Sequence, residues 1–236
     1  MITIVVREGE MMVQNEYQTV NSKYFNIIFK EKDSNIIEQI INLIDNTYET
    51  IIKIFKLNND IDKFTLYVCS DVEEFKKQTG KGDNEYQEWM VGNANYTDKK
   101  LCILSPNVVR DRSLEDMFKV CKHEVIHIAF GQLETPDNVN IFIVEGIAIA
   151  FAEQINVYSL ELDNFPSANK LIDKNYFYEN NGYLYSGVYV LYILKKYGFD
   201  VFKKIYKNEV RLEDYLYDGF EKDAIQSLLT EFNIKK

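Results

Sequence analysis

Both histidines of this chain fall in one pentapeptide, His123-Glu124-Val125-Ile126-His127, and their spacing constrains the local fold. On a helix, residues four apart lie on one face a turn apart, so both imidazoles can reach a single metal ion. Glu124 falls beside them, placed to take a proton from a metal-bound water. Ser113 reads as a cap that opens the helix carrying the pentapeptide, expected over 114–130.

Two imidazoles do not complete a zinc site, because catalytic sites commonly use three protein ligands plus water. Downstream runs Phe142-Ile143-Val144-Glu145-Gly146-Ile147-Ala148, a Glu-Gly-x-Ala signature inside an apolar helix expected over 139–154. Glu145 is the third candidate ligand. A carboxylate flanked by Val144 and Ile147 needs a partner if buried, and a cation supplies one; the bland alternative is a helix cap or a lysine ion pair. Gly146, Ala148, Ala150 and Ala152 carry little bulk. They are expected to let this second helix lie close against the first, as a shared metal demands.

The remaining pattern places strands first and helices after. Residues 24–30 read as a strand, and 34–57 as one long amphipathic helix with Ile37, Ile40, Ile44, Tyr48 and Ile51 at helical spacing. Residues 64–69 read as a buried strand, and 71–79 as a short helix opened by an acidic cap. Residues 89–96 and 101–104 read as an antiparallel pair turning at Asp98-Lys99. After Ser113 everything reads as helical, including 184–197. This order predicts an α+β fold, a single catalytic domain over 1–236 with lobes at about 12–130 and 131–236 and the metal between them. Trp89, the only tryptophan, is expected to pack in the core, with a subsite wall as its second reading.

Composition narrows the class. Apolar residues make up 46% of the chain, enough to build a core and against disorder. A formal charge of −10 argues against nucleic acid and anionic membranes, both of which demand basic surfaces. Cys69, Cys102 and Cys121 are scattered through apolar stretches without C-x-x-C spacing, so they are expected as reduced core thiols and not as ligands. No apolar run is long enough to span a bilayer and no secretory signal is evident, so a cytoplasmic location is expected. Arg7-Glu8-Gly9-Glu10 can be encoded by an almost pure purine run, as a bacterial ribosome-binding site would be, so translation is expected to start at Met11 or Met12.

Taken together, the motifs resemble the gluzincin branch of the zincin metallopeptidases, most closely the peptidase MA-like family. There an H-E-x-x-H helix is followed by a proline-bearing loop, matched here by Pro136, and then by a Glu-Gly-x-Ala helix. Upstream, Trp89-Met90-Val91-Gly92-Asn93-Ala94 is similar to the family's Gly-x-Ala edge strand, and Leu104-Ser105-Pro106 to the strand end that follows. Downstream, Tyr192-Ile193-Leu194-Lys195-Lys196-Tyr197-Gly198 is similar to its Tyr-Leu-x-x-x-Tyr-Gly helix end. The resemblance implies a zincin-like fold: a mixed N-terminal sheet with helices, packed on a mainly helical C-terminal lobe. It implies one zinc ion on His123, His127 and Glu145, Glu124 as general base, and hydrolysis of peptide or protein substrates. Tyr183 is then the expected oxyanion donor, with Tyr185 as fallback, and Gly92, Asn93 and Ala94 the strand that holds an extended substrate. At Gly92 a bulge or turn is an equal reading.

Two positions depart from the pattern. Ile149 stands where thermolysin-like gluzincins carry Asp, so the group that steers a ligand histidine must be another carboxylate or a backbone carbonyl. Ala150 stands where family members often carry an aromatic residue. The metzincin pattern fails at Phe130 and Leu133, which occupy its glycine and third-histidine positions. The alternative to a peptidase is a catalytically silent metal-binding or interaction domain on the same fold. The intact Glu124 argues against it.

Overall fold

Alternation of buried and half-buried side chains along Phe25–Lys30 (β2) and Phe64–Cys69 (β3) makes these the central strands of a five-stranded sheet. The structure, a computed structural model, describes residues 17–58, 62–133 and 140–232. Met11, Met12, Pro136 and Val139 therefore lie outside the described residues. The strand order is β1-β2-β3-β5-β4, with β1 at Tyr17–Asn21, β4 at Gly92–Asn95 and β5 at Lys100–Leu104. β2–β3 and β3–β5 pair in parallel, whereas β1–β2 and β4–β5 are antiparallel, so the sheet is mixed. β1 had no signal in the pattern because all five of its residues are exposed and no apolar face exists to be read.

The crossover from β2 to β3 is a helix, α1 (Ser34–Ile54), which buries Ile37, Ile40, Ile44, Tyr48 and Ile51. It ends before the expected Leu57, because Phe55 caps it and Lys56 takes a positive φ of 47°. Asp71 opens α2 (Val72–Thr79) by accepting a hydrogen bond from the Glu74 amide. The β4–β5 turn falls at the expected place, with Lys99 at φ 51° and the Asp98 amide donating to Asn95 Oδ1. β4 is shorter than 89–96, since the chain turns at Met90, whose amide donates to the Gln87 carbonyl. Trp89 is consequently not a core residue; it is 55% exposed.

Beyond Ser113, every regular element among the described residues is helical. Ser113 Oγ accepts from the Asp116 amide to start α3 (Leu114–Gly131), and Asn140 Oδ1 accepts from the Phe142 amide to start α4 (Ile141–Phe151). Short α5 (Ala168–Leu171) and α6 (Lys174–Glu179) lead to α7 (Gly182–Tyr206) and α8 (Phe220–Glu231). The helix expected over 184–197 does break at Gly198, where φ is 78°, but a helical stretch resumes and runs on to Tyr206. One continuous buried cluster joins the sheet residues Phe25 and Leu66 to Ile126, Phe142, Tyr189 and Leu228. Cys121 sits in it, while Cys69 and Cys102 belong to a smaller cluster with Met117 and Val120; all three thiols are free and buried. No helix among the described residues is long and apolar enough to cross a membrane.

Gly146 does its work on a different neighbour from the expected one. A Cβ there would lie 2.5 Å from Val190 Cγ2 and 2.8 Å from the Ser186 carbonyl oxygen, both on α7. The reciprocal glycine, Gly187, meets Ile149 Cγ2 at 2.7 Å. Successive helical residues point about 100° apart, so with Glu145 facing α3 its neighbour must face elsewhere. Gly146→Ala is expected to destabilise the protein. Overpacking against a helix backbone costs roughly 1–3 kcal/mol, against a helix-propensity gain of about 1 kcal/mol. Urea unfolding should show a lower midpoint; an unchanged or higher one would mean that α4 and α7 can separate at little cost.

Candidate metal centre

α3 presents His123 and His127 one turn apart, and α4 brings Glu145 against them. His123 Nε2 lies 2.9 Å from His127 Nε2 and 3.2 Å from Glu145 Oε2, and His127 Nε2 lies 3.5 Å from the same oxygen. One donor atom from each residue falls within 4.8 Å of the others, a group that could hold a metal ion. All three are half-buried. Burial pushes the Glu145 carboxyl upward, but the adjacent His127 and hydrogen bonds from both imidazoles outweigh it, and its pKa ends well below the usual range. The three residues expected to share an ion are thus brought together, from helices whose connection contains undescribed residues.

Glu124 faces the same space. Its residue is 8% exposed, and burial raises its carboxyl pKa to about 7; His123 pulls the value down and Glu145 pushes it up. It has no hydrogen-bond or ion-pair partner among the described residues. What lies over it explains Gly92: a Cβ on Gly92 would stand 2.4 Å from Glu124 Oε1 and 2.8 Å from Val120 Cγ1. The glycine is therefore required by the approach of β4 to α3. It is neither bulge nor turn, since Gly92 pairs with Ile103 in a regular ladder.

β4 is an edge strand: Gly92, Asn93 and Ala94 pair with β5 on one side, and no described strand pairs on the other. Together with the start of α7 it bounds a cleft in two halves that meet over His123 and Glu124. The half beside β4 has a volume of about 570 Å³ and is lined by Gly92, Asn93, Ala94, His127, Glu145 and Tyr206, and also by Lys81. The other half, about 410 Å³, is walled mainly by Trp89, Met90, Val120, Ile149 and Leu184, with Arg112 and Gln154 as its other polar groups.

Tyr183 lines both halves, its ring 6.3 Å from Trp89 and 5.0 Å from Phe177. Burial, reinforced by the charge of Glu145, raises its phenol pKa and keeps the hydroxyl a donor. Tyr185 does not reach the cleft; it is buried, with its ring 4.7 Å from Phe165. Trp89, expected in the core, instead forms part of the wall.

The residue that the sequence pattern missed is Gln154. Its Oε1 lies 2.8 Å from His123 Nδ1, so the group that meets this nitrogen is neither a carboxylate nor a backbone carbonyl. Nothing in the local sequence marks it, because it lies beyond the end of α4 and a glutamine there is unremarkable.

A scan of protein-family models finds none that matches the chain, and a search of curated proteins finds no match.

Proposed function

We propose that this chain is a zinc-dependent metallopeptidase that hydrolyses peptide bonds with Glu124 as general base. The observation that carries the reading is the convergence of His123 Nε2, His127 Nε2 and a Glu145 oxygen within 4.8 Å, with the buried Glu124 carboxyl lining the same cleft. Without an ion, imidazole protons can join these three groups at 2.9–3.5 Å, and a cation between the three donors would take their place. Tetrahedral zinc with bonds of 2.0–2.1 Å separates its ligands by roughly 3.3 Å, so the donor set fits. Two imidazoles and one carboxylate also suit zinc better than calcium or magnesium, which prefer all-oxygen shells.

Zinc held there would lower the pKa of water in its open position to about 7 and polarise a substrate carbonyl. The protein's own groups do the rest. Glu124 accepts the proton as water attacks and then passes it to the leaving amine. A pKa near 7 in the metal-free site suits both halves of that transfer, and a nearby cation draws it toward the ionised base. The open edge of β4 offers main-chain groups of Gly92 and Ala94 to an extended peptide, as in strand addition. The half-cleft bounded by Trp89, Met90, Ile149 and Leu184 suits an apolar side chain.

Tyr183 supplies the donor for the developing oxyanion. Tyr183→Phe is expected to lower kcat by roughly 10²–10³-fold with little change in KM, the size of effect seen when one such donor is removed. Equal turnover would move the role to another group at the cleft, such as Tyr178 or Tyr206, which also line it.

The whole reading is tested by metal analysis of the purified chain together with a screen on a mixed peptide library. About one zinc per chain and cleavage sensitive to chelation are expected. A chain that binds zinc but cleaves nothing would favour the silent-domain alternative.

A further inference from the structure

Resting on the proposed metal centre, we infer that Gln154 is the positioning residue for His123, and that its neutral amide sets how tightly the ion is held. An imidazole whose Nδ1–H donates to a fixed acceptor presents a bare Nε2 to a metal. The 2.8 Å contact from His123 Nδ1 to Gln154 Oε1 is of that kind, on the side of the ring opposite the nitrogen that faces Glu145 and His127.

The acceptor is fixed by the way α4 ends. Glu153 takes a left-handed φ of 59°, and the Gln154 amide then reaches back to donate to the Ile149 carbonyl at 3.1 Å. This six-to-one bond reverses the chain, as in a Schellman ending, although with a residue other than glycine at the left-handed position. Lys122, the neighbour of His123, forms an ion pair with Glu153 at 2.9 Å, tying that reversal to α3. One helix therefore provides a ligand from its middle, Glu145, and a steering group from its end.

Charge gives the amide a distinct effect. Two neutral imidazoles and one carboxylate offset only half of a divalent charge. A carboxylate at position 154 would add a further negative charge, hold the cation more tightly and weaken its pull on a substrate carbonyl. An amide steers without that cost.

The test uses the full chain. Zinc dissociation constants are measured by competition with a chromophoric chelator for wild type, Gln154→Met and Gln154→Glu. Imidazole ¹⁵N spectra are recorded on the metal-free proteins. Gln154→Met keeps the side-chain length and removes the acceptor, so it is expected to bind zinc roughly 10–100-fold more weakly; Gln154→Glu should bind at least as tightly as wild type. In the wild type, His123 Nδ1 should carry a hydrogen-bonded proton whose signal is lost in Gln154→Met. Zinc affinity of Gln154→Met within twofold of wild type, or a bare Nδ1 in the wild type, overturns the proposal. Absence of zinc binding by the wild type would instead overturn the metal reading, and the ring signal would still decide whether Gln154 holds His123.

Discussion

Glu124→Gln is expected to retain about one zinc per chain and to lose roughly 10²–10⁴-fold in peptide turnover, the range contributed by a positioned general base. The glutamine side chain is nearly isosteric, so the tight fit under Gly92 and against Val120 is preserved. Its amide cannot accept a proton from water and hand it on. The buried carboxyl, raised to about 7, is also relieved of its desolvation cost, so the variant should be no less stable than wild type. Zinc content, urea unfolding and turnover measured side by side separate chemistry from folding. Turnover within a few-fold of wild type at full zinc loading would remove Glu124 from the mechanism and pass the general-base role to another group.

The second large effect concerns Glu145→Ala. Its carboxylate is the only acidic group in the triad, and its oxygen lies 3.2 Å and 3.5 Å from the two Nε2 atoms. Removing it leaves two neutral donors for a divalent ion. Zinc affinity should therefore fall by more than the roughly 100-fold upper figure for an outer-shell partner, and turnover should be lost. Stability gives an independent reading. A ligand present at a hundred times its dissociation constant stabilises the native state by about 2.7 kcal/mol. Wild type should show that zinc-dependent shift in denaturation midpoint, and Glu145→Ala should show none at the same zinc concentration. An equal shift in both would mean that the ion is held by other residues.

Much of the site was legible because helical spacing is a local property. His123, Glu124 and His127 lie within a turn and a quarter of one helix, and the caps at Asp71 and Ser113 are side-chain-to-backbone bonds spanning three residues. Where reading failed, the cause was a long-range partner. Trp89 was expected inside because tryptophan is large and apolar; the turn at Gln87–Met90 instead holds it at the cleft wall, 6.3 Å from a tyrosine on α7. Gly146 was expected to face α3 and faces α7. Of two tyrosines two residues apart on α7, one lines the cleft and the other is packed on Phe165.

By itself the sequence determined the strand-then-helix order, the α+β class and which residue types could share an ion, since these follow from periodicity, capping and donor chemistry. Only the tertiary structure decided that Glu145 meets the two histidines, that Gly92 must be bare above Glu124, and that an amide beyond the end of α4 meets His123. The physical reason is that periodicity assigns a side chain to a face of its own element. Which other element covers that face is set by packing between segments distant in the chain, and no local pattern records it.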